Sequence, residues 1–277
     1  MTSLPLLLVD GHHLLYRAWY GFAARIHSRD KQHDRTGVFG FAALLRKAQL
    51  QHAPGHEVFV VFDAENGTQE RVEQDDAYKA NRAAQPDPGL MESLIHVKAA
   101  LDESGVRWIE QDGCEGDDAI ATLTVLARRH GRPVDVMSGD KDFLQLLADT
   151  EVRLLNTMLA EHRRYSTGLD VVARYSVSAS QWPDYRALTG DPADNIAGVR
   201  GIGTKTAARL LREGRSLEQI PADELRPTWA EQWPDALRWR EMIRLDHKVD
   251  LPDELLTGTP TPALPRAALL LERLRLW

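Results

Sequence analysis

Nine carboxylates with the chemistry to hold metal lie in five segments of the 277-residue chain: Asp10, Asp63, the cluster Glu115, Asp117 and Asp118, the pair Asp140 and Asp142, and the pair Asp191 and Asp194. Four of these segments begin where an apolar, strand-like run ends: LPLLLVD (4–10), VFVVFD (58–63), VRWIEQDGCEGDD (106–118) and PVDVMSGDKD (133–142). In an open α/β sheet the carboxyl ends of parallel strands form one edge, and ligands bind there. Acids gathered at that edge would repel one another by several kcal/mol unless divalent cations sat among them, and hard cations favour oxygen ligands. The expected chemistry is that of two or more Mg2+ or Mn2+ ions.

Each acid also has a plainer local explanation. Asp10 and Asp63 stand where an aspartate commonly caps the next helix. In EQDGCEGDDAIATL, however, Glu110, Asp112, Glu115, Asp117 and Asp118 place five acids in nine residues, and a helix start accounts for only one or two of them. Asp140 and Asp142 flank Lys141 at a strand-to-helix turn, where both could ligate. In TGDPADNIAGV, Asp191 and Asp194 beside Gly190 and Pro192 are equally suited to forming turns.

Helix-period stretches at 37–50, 90–103, 116–129 and 141–148 alternate with the apolar runs, which predicts an α/β fold with a mostly parallel sheet and helices on both faces. VRLLN (152–156) extends the sheet. Beyond about residue 168 the pattern is helical, broken by Pro and Gly, and a boundary is placed near 175. The expected domains are a catalytic unit, 1–175, and a helical DNA-binding unit, 176–277, whose tail from Gly258 packs back on the body. Residues 65–89 are polar and long for a connection, as a lid would be. Within them Arg71, Lys79 and Arg82 offer charge for phosphates, and Tyr78 offers a ring for stacking on a base.

GVRGIGTKTAARLL (198–211) carries a different signal. Gly201 and Gly203 permit a hairpin, Thr204 is placed to cap a helix, and Lys205, Arg209 and Arg212 add positive charge. The segment resembles a helix-hairpin-helix element, which grips the DNA backbone through phosphates, here by Gly201, Gly203, Thr204, Lys205, Thr206 and Arg209. No GxxxxGK[ST] run occurs, which disfavours a P-loop. The net charge of −7 argues against a polyanionic partner until the nine carboxylates are set aside, which leaves +2.

Cys114 is the only cysteine, so no intramolecular disulfide forms, and its acidic neighbours disfavour a thiolate. His12 and His13 are given no role. Trp182, Trp229, Trp233 and Trp239 read as core of a helical unit. No run of eighteen apolar residues occurs and the N-terminus lacks signal-peptide features, so a cytoplasmic protein is expected.

In order, LLLVDGHHLLYRA, VVFDAENGT, YKANR, EGDDAIATL, SGDKDFLQLL and LTGDPADNIAGVRGIGTKTA resemble the 5′ nuclease family, which includes the N-terminal 5′→3′ exonuclease domain of bacterial DNA polymerase I and free-standing flap endonucleases. The likeness runs from about residue 4 to 214, and with no polymerase segment after it the chain resembles the free-standing members. The resemblance implies a structure-specific nuclease for flapped, nicked or 5′-ended DNA, RNA-containing strands included, acting as a monomer. It implies that Asp10, Asp63, Glu115 and Asp117 bind a first metal. Asp117 or Asp118, with Asp140, Asp142, Asp191 and Asp194, would bind or support a second. Tyr78, Lys79, Arg82 and Arg71 would belong to an arch over the scissile phosphate, about 66–89. Carbonyls of Leu188, Thr189, Val199 and Ile202 would hold a K+ ion in the hairpin. His12 and His13 depart from the small hydroxyl residues more usual there. A PIN-type ribonuclease shares the acids at strand ends but not the hairpin and arch.

Overall fold

The computed structural model describes residues 3–80, 87–252 and 254–277. Its centre is β1 (Leu6–Asp10), whose apolar residues are buried on both faces. Leu6 and Leu8 enter one core and Leu7 and Val9 the other, as the alternation of side chains along a strand requires. Beside it lie β2 (Glu57–Phe62), β3 (Arg107–Glu110), β4 (Val134–Met137), β5 (Val152–Leu155) and β6 (Tyr165–Ser166). The order across the sheet is β3-β2-β1-β4-β5-β6, parallel throughout except for the short antiparallel β6. Runs such as VFVVF suit a strand covered on both sides.

The helices divide between the two faces. Helices α1 (Gly11–Gly21), α2 (Thr36–Gln51) and, beyond the short α3 (Gln69–Gln74), α4 (Pro88–Glu103) pack on one. On the other lie α5 (Gly116–Arg129) and a 3-10 helix, Asp142–Ala148, where the sequence pattern predicts an α-helix. The same core continues without a break into the C-terminal helices: α6 (Gly168–Tyr175), α7 (Trp182–Thr189), α8 (Thr204–Leu210), α9 (Pro227–Ala230) and α10 (Trp233–Ile243). Trp182 and Trp229 are buried in that core, and Trp233 and Trp239 pack at its margin. Among the described residues no helix is long and apolar enough to cross a membrane.

The last twenty residues leave the helical region and return to the first face. Glu57 accepts hydrogen bonds from the backbone N–H groups of Thr257 and Gly258 and pairs with Arg132 at 2.7 Å, while Thr261 bonds the β2 backbone. Helix α11 (Ala267–Arg273) then sets Ala267, Leu270 and Leu271 into the core with α2. Residues 176–256 thus extend one core, and the tail, packing back on the body, completes the other.

The strand order reverses between β1 and β4, because the chain first grows to one side of β1 and then crosses to the other. In doubly wound sheets this is the crevice where ligands sit. It places the acids that follow β1, β2 and β4 side by side.

Leu271 is fully buried, so Leu271→Ala is expected to lower unfolding stability by about 2–5 kcal/mol in urea denaturation, the range for a core cavity. A loss below about 1 kcal/mol would mean that the tail does not belong to the core.

Candidate active site at the carboxyl edge of the sheet

Asp10 ends β1 and is also the N-cap of α1, accepting the His13 N–H at 2.9 Å. No linker intervenes, and Gly11 makes that possible: a Cβ there would stand 2.4 Å from the Phe62 ring and 2.8 Å from the Val61 carbonyl oxygen. Ser138 donates to Asp10 Oδ2 at 2.8 Å and accepts the Asp140 N–H at 3.0 Å, which ties the ends of β1 and β4 together. Asp63 follows β2 and accepts the Gly116 N–H at 2.7 Å, so it faces the start of α5. Burial first, then the charge of Asp63, raises the Asp10 carboxyl from its ordinary 3.8 to about 7 despite its two hydrogen bonds.

On the β4 side, Asp140 Oδ1 accepts the Asp142 N–H at 2.9 Å. Asp142 is buried, and its Oδ1 has no hydrogen-bond partner among the described residues. Burial and then Asp140, Asp191 and Asp194 push its carboxyl well above the usual range. Asp191 sits in a tight turn, bridged to Ile196 and ion-paired with Arg186. The acids of the helical region thus reach the crevice after β4, and the turn-forming and acid-site explanations of Asp191 apply together.

The third group is compensated from within the protein. Glu115 stands at the N-cap position of α5 without a side-chain cap bond, and Asp117 and Asp118 lie in the first turn. Arg71 forks between them: Nη1 lies 2.9 Å from Glu115 Oε1 and 3.8 Å from Asp117, and Nη2 lies 2.9 Å from Asp118 Oδ1. Lys79 binds Glu115 Oε2, and the Tyr78 hydroxyl donates to Oε1 at 3.2 Å. Both oxygens of Glu115 are engaged. Burial opposes its charge, but Lys79 and Arg71 outweigh burial and hold the carboxyl low. Burial likewise opposes the charge of Arg71, and Asp117, Glu115 and Asp118 overcome it. Asp117 is raised well above its ordinary value by burial and by Glu115 and Asp118. Cys114 is pushed up to about 12 by burial and these acids, so it stays a thiol.

The nine carboxylates therefore share one edge in three neighbouring groups. Among the described residues no three His, Cys, Asp or Glu groups close on one point tightly enough to hold an ion as they stand. Two of the groups already have a guanidinium or ammonium paired with their carboxylates: Arg71 and Lys79 in one, Arg186 in the other. The chemistry of the set fits hard divalent cations: every candidate ligand is a carboxylate, and the unpartnered Asp142 Oδ1 together with the raised Asp10, Asp117 and Asp142 marks negative charge left uncompensated.

Several expectations are corrected. Tyr78 is buried with its hydroxyl on Glu115 and so presents no ring for a base. Arg71 is paired with Glu115 and Asp118. Arg82 lies outside the described residues. Gly203, not Thr204, is the N-cap of α8 and brings no side-chain cap. Arg212 is held by Glu224 at 2.7 Å, which removes it from the exposed charge of Lys205 and Arg209. The Leu188 carbonyl accepts the Val199 N–H and the Val199 carbonyl the Ile202 N–H, so those oxygens also close the hairpin.

Four contributors escaped sequence reasoning. His12, given no role, accepts the Asp63 N–H on Nδ1 at 3.0 Å. That nitrogen carries no proton, and its 3.3 Å approach to Asp63 Oδ2 is not an ion pair. Ser138 joins Asp10 to Asp140, Arg186 serves Asp191, and the Asp246 N–H donates to Asp118 at 2.8 Å. Only Ser138, inside SGDKD, had a signal in its neighbourhood.

A doubly wound sheet with an acid-lined crevice at its switch point, continued by a helical unit with a glycine hairpin, defines the class of protein. Two family models match: "5'-3' exonuclease, N-terminal resolvase-like domain" over residues 5–176 and "5'-3' exonuclease, C-terminal SAM fold" over 177–262. The chain belongs to the 5′–3′ exonuclease family. The thermostable DNA polymerase I of Thermus thermophilus is 37% identical over 289 residues, covering 99% of this chain and 33% of that relative, so the chain spans about a third of its length. A bacteriophage T5 flap endonuclease, solved with DNA and metal ions, superposes at 22% identity and a TM-score of 0.64 over 86% of this chain and 88% of that one. The catalytic core of Rad2 with DNA substrate matches at 14% identity and a TM-score of 0.56 over 99% and 86%. At these identities the two structures establish likeness of fold.

The elevated Asp10 has a thermodynamic signature. Its folded carboxyl binds a proton more tightly than the unfolded one, so its contribution falls as pH rises from about 4 to 7, by at most about 4 kcal/mol. In EDTA, Asp10→Asn is expected to melt above the parent at pH 8, with the gap closing towards pH 4. Equal melting temperatures at pH 8 would contradict a compressed acid cluster.

Proposed function

We propose that this chain is a structure-specific 5′ nuclease that hydrolyses phosphodiester bonds in branched, nicked or flapped DNA, as a flap endonuclease and a 5′→3′ exonuclease. The observation that carries the reading is the gathering of Asp10, Asp63, Glu115, Asp117, Asp118, Asp140, Asp142, Asp191 and Asp194 in three neighbouring groups along the carboxyl edge of the sheet, within a member of the 5′–3′ exonuclease family. DNA-bound and metal-bound relatives of the same fold support it.

Asp10, Asp63, Glu115 and Asp117 would hold one divalent cation, and Asp140 and Asp142, supported by Asp118, Asp191 and Asp194, a second. Bound Mg2+ or Mn2+ supplies an activated water and charge stabilisation for the leaving oxygen. The protein's own contribution is placement. Ser138 fixes the spacing of Asp10 and Asp140, Arg186 orients Asp191, and His12 holds the backbone of Asp63. Lys79, with Arg71 and the undescribed Arg82, would turn to the scissile phosphate once DNA arrives, an electrostatic contribution of the kind P–O cleavage demands. The products are a 5′-phosphate and a 3′-hydroxyl.

The exposed Gly201, Gly203, Thr204, Lys205 and Arg209, with the half-buried Thr206, would grip duplex phosphates away from the cut. Helix α8 leaves its first N–H groups without a side-chain cap, which suits a phosphate. K+ held by the carbonyls of Leu188, Thr189, Val199 and Ile202 would brace the hairpin. The enzyme would act as a monomer in the bacterial cytoplasm, near the nucleoid, and RNA-containing strands fit the same backbone contacts.

Asp140→Asn is expected to lower cleavage of a 5′-flap in Mg2+ by about 10²-fold or more while retaining DNA binding, since several kcal/mol of charge stabilisation is lost. Cleavage at the parent rate would defeat the two-cation reading. Lys205→Ala with Arg209→Ala should weaken duplex binding and reduce the slope of log affinity against log salt by about 2, near 0.9 for each lost phosphate contact. An unchanged slope would remove the hairpin from the DNA path.

A further inference from the structure

We propose that Arg71, assisted by Lys79, is a built-in counter-ion that stands in for a divalent cation at Glu115, Asp117 and Asp118, so that docking of residues 66–80 and cation uptake at this cluster compete. The inference rests on the two-cation reading of the site.

The geometry leaves little room for both. Glu115 Oε1 is shared by Arg71 and Tyr78, and Oε2 is held by Lys79. Asp118 Oδ1 accepts from Arg71 Nη2 and from the Asp246 N–H. A cation that takes Glu115 as a ligand needs an oxygen that these donors now occupy, and Arg71 Nη1 also stands 3.8 Å from Asp117 Oδ1. Arg71 spans all three acids at once, as a divalent ion would, and the planar fork of a guanidinium suits two carboxylates side by side.

Residues 66–80 are held in place by more than one anchor. Besides Arg71, Tyr78 and Lys79, the Lys79 N–H donates to the Asp194 carbonyl at 3.0 Å and the Asn195 side chain donates to the Ala77 carbonyl at 2.7 Å. Arg238 approaches Asp75 at 3.4 Å. Lys79 adopts φ 54°, a left-handed conformation unusual for a lysine, which is what lets its backbone reach Asp194 while its ammonium reaches Glu115. The segment is thus docked across two of the acid groups, and the salt bridges to Glu115 and Asp118 are its charged attachments.

Coupling between two binding events is reciprocal. If a divalent ion at the cluster weakens the docking of 66–80 by some factor, docking weakens the ion by the same factor. Removing Arg71 removes the competitor and should tighten the ion. Charge removed at a distance would tighten it too, but would leave the docked segment undisturbed when the ion binds. The two effects are separable by watching the segment itself.

The test uses the full chain without DNA. Mn2+ uptake is measured by titration calorimetry on the parent and on Arg71→Gln, and amide hydrogen exchange of residues 66–80 is followed on the parent with and without Mn2+. The expected result is Mn2+ binding tighter in Arg71→Gln by roughly 5- to 50-fold, within the usual range of coupling between sites. With it, Mn2+ accelerates exchange in 66–80 of the parent, the Lys79 amide included. Equal Mn2+ affinity in parent and variant, or exchange unmoved at saturating Mn2+, would overturn the proposal while leaving the two-cation reading intact. No uptake by either protein would overturn both. The exchange measurement needs no substitution, so it decides the matter even if Arg71→Gln folds poorly.

Discussion

Negative charge crowded into one crevice is the constraint on which the rest of this molecule depends. Asp10 rises to about 7 because burial and Asp63 act on it together, and Asp142 is raised by burial and by three further aspartates. Such compression is costly in any folded chain. The protein relieves it with short, fixed contacts: Ser138 to Asp10, Arg186 to Asp191, and the fork of Arg71 to Glu115 and Asp118. What is left uncompensated, notably the buried Asp142 Oδ1, is what the proposed divalent cations would neutralise.

The sheet makes this crowding achievable. A parallel order with its reversal between β1 and β4 gathers strand ends from residues far apart in sequence, and two apolar cores hold the strands from both sides. Because one of these cores runs on into the helical region, Asp191 and Asp194 are carried to the same edge by packing, not by strand pairing. The tail has the complementary task. Its backbone amides bind Glu57 and its leucines fill the opposite core, so the β2 strand that presents Asp63 is clasped near its start.

Much of this arrangement was legible in the residues. The apolar runs ending in acids announced the parallel sheet and its functional edge, and the helix-period stretches fell close to α2, α4 and α5. Local pattern failed where a residue's part is set by a distant neighbour. His12 follows Asp10 in sequence but serves Asp63, 51 positions on, and nothing in its surroundings signals a backbone acceptor. Arg186 looks like any helical arginine until the turn at Asp191 folds back on it. Tyr78 read as a stacking ring because aromatic and basic residues adjoin. Its burial depends on the 66–80 segment lying down on Glu115, which no spacing rule encodes.

On the proposed function, that docked segment also bears on how an acidic protein would handle a polyanion. Arg71 and Lys79 are paired with carboxylates, so they add no exposed positive field, and the exposed charge near the hairpin comes from Arg200, Lys205 and Arg209. Divalent ions entering the crevice and phosphates arriving above it would change both sides of this balance at once. The carboxylates gain a better counter-charge, and the guanidinium and ammonium gain a new anion. Each exchange makes the other less costly, because neither a bare acid cluster nor a bare buried cation has to exist on the way. The Glu115, Asp117 and Asp118 group would in this way stay compensated through the exchange, which gives a physical reason for Arg71, Tyr78 and Lys79 to share one short segment beside those acids.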